Sequence, residues 1–316
     1  MSEITAAERP AAPDWLAMSP AELVAYREAE NRFRASKAAR AILGEPDPGV
    51  TIDWRTVELP GRDLPVRVYR PSEEDALPLV LHVHGGGFVG TAAQSDWVNS
   101  RLAARLPALV VSVEHRLLAP ETPLANAVDD GWDVLQHMVD HAAQWGIDPA
   151  RAAVFGESCG GLICALAALR ARASGLALRA QVLVNPVTDM TGTMFDHASI
   201  AQHADTPTLA VPQLRLIQRF AGPPPAEPRR LSPLHADDLG GLAPALVVIP
   251  THDPVADHGR RYAERLQASG TSARLAEYPG APHAFLSLPS VEPQAEAACA
   301  EILDFLRASL APQSAR

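Results

Sequence analysis

The chain has 316 residues, 47% of them hydrophobic, and a formal net charge of −10. That is enough to bury a large core in one domain with insertions, and the negative charge argues against nucleic acid or an anionic membrane as a partner. No apolar run is long enough to span a bilayer, and the opening Met1-Ser2-Glu3-Ile4-Thr5 has neither a basic nor an apolar leader region, so a cytoplasmic location is expected. Three cysteines make no disulfide framework; Cys159 and Cys164 lie five apart on one predicted helix, a poor position for a bridge.

In chain order, Ser19-Pro20-Ala21-Glu22 forms a capping box with proline at the first helical position. Leu23, Tyr26 and Phe33 then recur at helical spacing, which predicts an amphipathic helix over 20–42. Short strands follow at 55–59 and 64–70. After them, strands (78–84, 108–113, 151–155, 179–184, 244–250 and 273–278) alternate with helices (97–106, 125–144, 159–173, 257–269 and 292–310). Such alternation indicates a mostly parallel sheet covered on both faces. Residues 187–240 break it, with a helix near 211–221, a proline-rich run (Pro223-Pro224-Pro225-Ala226-Glu227-Pro228) and no strand. This insertion and residues 1–50 are expected to form a lid; structural padding without a catalytic role is the alternative.

Function is concentrated in three places. Gly156-Glu157-Ser158-Cys159-Gly160 is a G-x-S-x-G pattern between an apolar strand and a helix-forming run. A serine on so sharp a turn is strained, and Gly156 and Gly160 remove side chains that would meet the neighbouring strand and helix. Upstream, the strand Leu79–His84 runs into Gly85-Gly86-Gly87-Phe88, whose uncovered N–H groups could stabilise an oxyanion; a plain flexible turn is the bland reading. Downstream, chain order places the acid at Asp253 and the base at His283, both after predicted strands. His283 would take the Ser158 proton while Asp253 fixes its tautomer. The rivals are Asp257, expected to cap or face solvent, and His252, expected to point away from the site.

Together these segments resemble the hormone-sensitive-lipase-like group of α/β-hydrolases, the bacterial family IV esterases. His84-Gly85-Gly86-Gly87-Phe88, Gly156-Glu157-Ser158-Cys159-Gly160-Gly161, Asp253-Pro254 and His283-Ala284-Phe285 carry the resemblance. So do Asn185-Pro186-Val187-Thr188-Asp189 and Ser232-Pro233-Leu234, and the likeness runs from about Val66 to Leu310. It implies an α/β-hydrolase fold with a mostly parallel eight-stranded sheet, helices on both faces and a helical cap. It also implies an oxyanion hole from the N–H groups of Gly85, Gly86 and Cys159, with His84 bracing the glycine loop. The expected division is 1–50 as an N-terminal cap segment, 51–186 with 241–316 as the catalytic domain, and 187–240 as the cap insertion.

The chain departs from the family pattern at three points. Glu157-Ser158-Cys159 replaces Asp-Ser-Ala, and the thiol beside the nucleophile is either a reagent-sensitive group or a small buried residue. His115-Arg116-Leu117-Leu118-Ala119-Pro120-Glu121 replaces Tyr-Arg-Leu-Ala-Pro-Glu with an extra leucine, and Ala284 replaces a glycine. His82 and His84 have a spacing that metals can use but no third ligand nearby, so no metal and no cofactor are expected.

The expected activity is a serine carboxylesterase acting on short- to medium-chain acyl esters through an acyl-enzyme. A lactone, an amide or an acetylated natural product could be hydrolysed on the same triad. A non-catalytic small-molecule receptor of the kind seen in plants is the third class, and it normally lacks a triad member. The expected partner is a small-molecule ester; a homodimer stays open.

Overall fold

The computed structural model describes residues 9–220 and 228–312. Most of the proline-rich run at 223–228 and the first eight residues of the expected N-terminal segment lie outside the described residues. A hairpin opens the sheet: β1 (Thr51–Leu59) and β2 (Arg62–Arg70) pair antiparallel around Gly61, whose φ of +79° suits the tight turn. There follow β3 (Leu77–Val83), β4 (Leu109–Val113), β5 (Ile147–Glu157), β6 (Ala180–Val184), β7 (Ala245–His252) and β8 (Ala273–Pro282). The eight strands lie in the order β1-β2-β4-β3-β5-β6-β7-β8, parallel from β4 to β8.

The central strands are buried on both faces, which is why Leu77–Val83 and Leu109–Val113 read as near-continuous apolar runs, interrupted at His82 and Ser112, rather than alternating ones. One face packs α4 (Leu124–Asp140), α6 (Cys159–Ser174) and α9 (Ala256–Ala268) over Leu79, Leu81 and Val83. The other packs α3 (Asp96–Arg105) and α10 (Gln294–Leu310) over Val80, Val110 and Phe155. The remaining helices are α1 (Pro20–Arg34), α2 (Lys37–Leu43), α5 (Ala142–Trp145), α7 (Ala198–Gln202) and α8 (Val211–Phe220).

Several boundaries differ from the sequence reading for local reasons. The helix expected over 20–42 is two helices, because Ser36 leaves helical geometry and its Oγ caps α2 by accepting the Ala39 N–H at 3.2 Å. The helix expected over 125–144 likewise divides at His141. Strand β8 extends to Pro282 through Pro279 and Gly280, which an edge strand tolerates because one row of its N–H groups needs no partner. Helix α7 was not foreseen; five residues are too few for periodicity to show.

Strand order reverses between β3 and β5, since the chain goes from β3 to β4 on one side and to β5 on the other. The carboxyl ends at such a point form a crevice suited to a ligand. Val83 pairs with Gly156 across it, so the loop after β3 and the turn after β5 begin side by side.

Candidate active site

The turn after β5 is built as its sequence demands. Ser158 adopts φ 56° and ψ −115°, a conformation that costs a non-glycine residue about 1–3 kcal/mol. A Cβ at Gly156 would lie 2.2 Å from the Gly160 carbonyl oxygen, and one at Gly160 would lie 2.0 Å from that of Val83. Neither position admits a side chain. The Ser158 N–H donates to Val184 O at 2.9 Å, tying the strained residue to β6, and α6 begins at the next residue. The free N–H groups of that first turn face the same region as the hydroxyl.

Side chains from three loops meet there. His283, just after β8, has Nε2 at 2.8 Å from Ser158 Oγ and Nδ1 at 2.8 Å from Asp253 Oδ2. Asp253 is fully buried at the end of β7, and its other oxygen accepts the Val255 N–H at 2.9 Å. A carboxylate at Nδ1 selects the tautomer with its proton there, which leaves Nε2 free to accept from the serine. The rivals are elsewhere: His252 is exposed at the end of β7 and lies against His203, and Asp257 accepts the Ser199 N–H at the start of α7 and pairs with Arg260.

The glycine loop stands beside this constellation. Gly86 has φ +95°, and a Cβ there would lie 2.0 Å from Val89 O. Among the described residues, the N–H groups of Gly85, Gly86 and Cys159 donate to no protein acceptor. His84 supports the loop from beneath, with Nδ1 at 2.8 Å from Gly85 O and its ring stacked on His115 at 4.3 Å. Burial lowers the pKa of both histidines, so neither adds a positive charge under the loop. His82 points instead to Ser112 and Asn99, and among the described residues no group of three or more His, Cys, Asp and Glu side chains is placed to hold a metal.

The chain matches the α/β-hydrolase fold profile over residues 80–287. The chain belongs to the α/β-hydrolase fold family. Its resemblance to the hormone-sensitive-lipase-like branch agrees with its relatives. It is similar to the carboxylesterase NlhH of Mycobacterium tuberculosis, at 36% identity over 89% of each chain. It is similar also to an ethyl acetate hydrolase of Pseudomonas putida, at 32% identity over 90% of each. Among solved structures, a thermostable carboxylesterase cloned from a metagenomic library superposes with a TM-score of 0.82 at 34% identity, covering 94% of this chain and 99% of that one.

In this hydrolase a cavity of about 200 Å³ opens over Ser158 and His283. Its walls come from the N-terminal segment (Trp15, Tyr26, Phe33), the glycine loop (Phe88) and the 208–217 region (Leu209, Ile217). Cys159 is buried, and burial pushes its thiol up to about 12. Burial and the raised pKa both favour the small buried group over the reagent-sensitive one. Leu118, in the segment with the extra leucine, packs under Gly87 and donates its N–H to Gly87 O at 2.8 Å.

Sequence reasoning missed several residues. Glu157 is buried, which raises its carboxyl pKa, and it accepts the Ser287 hydroxyl at 2.6 Å, joining the turn to the segment just beyond His283. Asn185, held at φ 36°, brings Nδ2 to 3.4 Å from His283 Nε2. Arg27, Asn31 and Arg34 of α1 reach the glycine loop region. Their i, i+4, i+7 spacing was visible, but a polar face on an N-terminal helix reads first as a solvated one.

Proposed function

We propose that the protein is a serine carboxylesterase that hydrolyses short- to medium-chain acyl esters through an acyl-enzyme. The observation that carries this reading is the continuous chain Asp253–His283–Ser158, both links 2.8 Å long, beside the unbonded N–H groups of Gly85, Gly86 and Cys159. The esterase names of the relatives support the substrate class.

Each group has a role in the reaction. Ser158 Oγ attacks the ester carbonyl while its proton passes to His283 Nε2. The carbonyl oxygen gains the charge and accepts hydrogen bonds from the Gly85, Gly86 and Cys159 N–H groups, which are fixed before the reaction and need no reorganisation. The intermediate collapses as His283 returns the proton to the departing alcohol, leaving Ser158 acylated. Water then attacks the acyl carbon, His283 takes one of its protons, and that proton goes back to Ser158 Oγ as the acid leaves. Asp253 stabilises the imidazolium present in each half.

In this reading residues 1–50 and 187–240 form the cap, and 51–186 with 241–316 form the catalytic domain; the mixed origin of the cavity walls supports that division. Three free, buried cysteines suit a reducing cytoplasm. No helix among the described residues is long and apolar enough to cross a membrane.

A p-nitrophenyl ester series from acetate to palmitate tests the substrate class. A cavity of about 200 Å³ is small beside the roughly 300–1,000 Å³ typical of drug-sized ligand sites. Each methylene that fits contributes about 0.8 kcal/mol of burial, so kcat/KM should climb from acetate, peak at a short to medium chain and then fall. A steady rise to palmitate would refute the short-chain assignment. Inactivity across the series, with Ser158 still labelled by a phosphonate, would point to a lactone, amide or acetylated substrate.

A further inference from the structure

We propose that Gln94 is a positioning residue for the oxyanion hole, and that the N-terminal helix α1 sets it through Arg34. This rests on the serine-hydrolase reading above and adds a part to its machinery. The Gly85 carbonyl oxygen receives two contacts, His84 Nδ1 at 2.8 Å and Gln94 Nε2, from the cavity wall, at 3.1 Å. A carbonyl oxygen has two lone pairs, so both can be used. That carbonyl shares one peptide plane with the Gly86 N–H, and no peptide bond among the described residues is cis. In a trans peptide the C=O and N–H point in opposite directions. Fixing the oxygen therefore fixes the direction in which the Gly86 N–H is presented to the substrate.

Gln94 is itself held. Its Oε1 accepts from Arg34 Nη1 at 2.6 Å, which also settles which end of the amide faces Gly85. Arg34 Nε in turn donates to Glu30 Oε1 at 3.0 Å, one turn back on α1. The same helix grips the rest of the loop: Asn31 Oδ1 accepts the Gly90 N–H at 2.9 Å, and Arg27 Nε donates to Phe88 O at 2.7 Å. Gly90, at φ +114°, leaves the space in which these groups meet. A Cβ there would lie 2.8 Å from Gln94 Oε1 and 2.9 Å from Gly85 O. The N-terminal helix is thus bonded to the loop that carries the Gly85 and Gly86 N–H groups as well as walling the cavity.

Two substitutions at position 94 separate donation from packing. Gln94→Ala removes the side chain; Gln94→Glu keeps its shape and its bond to Arg34 but has no N–H for Gly85 O. Both are measured for kcat and KM on p-nitrophenyl butyrate, for melting temperature, and for inhibition by an alkyl trifluoromethyl ketone. Ser158 Oγ adds to that ketone as its proton passes to His283, leaving an oxyanion in the hole. We expect kcat to fall about 10- to 100-fold in both, somewhat less than outright loss of one oxyanion donor, with KM within about twofold. The ketone Ki should rise by the same factor as kcat falls. Arg34→Met should give a smaller loss that vanishes in the Gln94→Ala background, because the two act in series. A Gln94→Glu enzyme with wild-type kcat and ketone Ki overturns the proposal, as do losses that only track a lower melting temperature. Additive losses for Arg34 and Gln94 overturn the part assigned to α1. A wild-type protein that no phosphonate labels at Ser158 is a different failure: it removes the serine-hydrolase reading and the proposal with it.

Discussion

Ser158→Ala should lower kcat on p-nitrophenyl butyrate by about 10⁶-fold, leaving the roughly 10³–10⁴-fold advantage over water that binding and oxyanion stabilisation supply in serine hydrolases. The fold should be unaffected. Among the described residues the hydroxyl makes one bond, to His283, and the backbone bond from Ser158 N to Val184 O does not involve it. Alanine at φ 56° carries the same Cβ as serine, so the strain of the turn is unchanged. Melting temperature and kcat measured together check both halves of this expectation. An alanine variant within tenfold of the wild-type rate would remove the triad from the account.

His283→Ala should be about as damaging as Ser158→Ala, and the double variant little worse, since the two act as one unit. The acid is the sharper test. Asp253→Asn keeps the shape at Nδ1 but favours the wrong tautomer, a change that lowers turnover about 10⁴-fold where it has been made in such triads. Asp257→Asn should leave kcat within a fewfold, because its carboxylate is occupied with Ser199 and Arg260. It should instead lower the melting temperature slightly through the loss of that cap. Kinetics that reverse this order, with Asp257→Asn crippled and Asp253→Asn active, would show the acid to be misassigned.

The triad candidates were legible because each signal is local. Gly156 and Gly160 flank the serine within one pentapeptide, Asp253 follows an apolar strand, and His283 follows the last predicted strand. The sheet then does the long-range work, since parallel strands end at the same edge and β3, β5, β7 and β8 all deliver their loops there. Gln94, Arg34 and Glu157 were not legible for the opposite reason. Arg34 meets Gln94 across 60 residues of chain, and Glu157 meets Ser287 across 130. No pattern in either segment encodes the other. Boundaries failed where polar caps or edge tolerance decided them, as at Ser36 and Pro279. Asp257 was expected to cap or face solvent; it caps α7, a helix too short to foresee.

The buried imidazoles of β3 and α9 also bear on how the molecule meets acid. Burial lowers His82 to about 3 and His258 to about 4, against an ordinary value of 6.5. The folded chain therefore leaves these rings neutral over a span in which the unfolded chain protonates them. Between about pH 6.5 and those lower values the unfolded state binds more protons, so stability is full above the interval and drains away as pH falls through it. Burying these two rings in neutral form thereby sets an acid limit on the fold, and a melting temperature that declines across that interval is its signature.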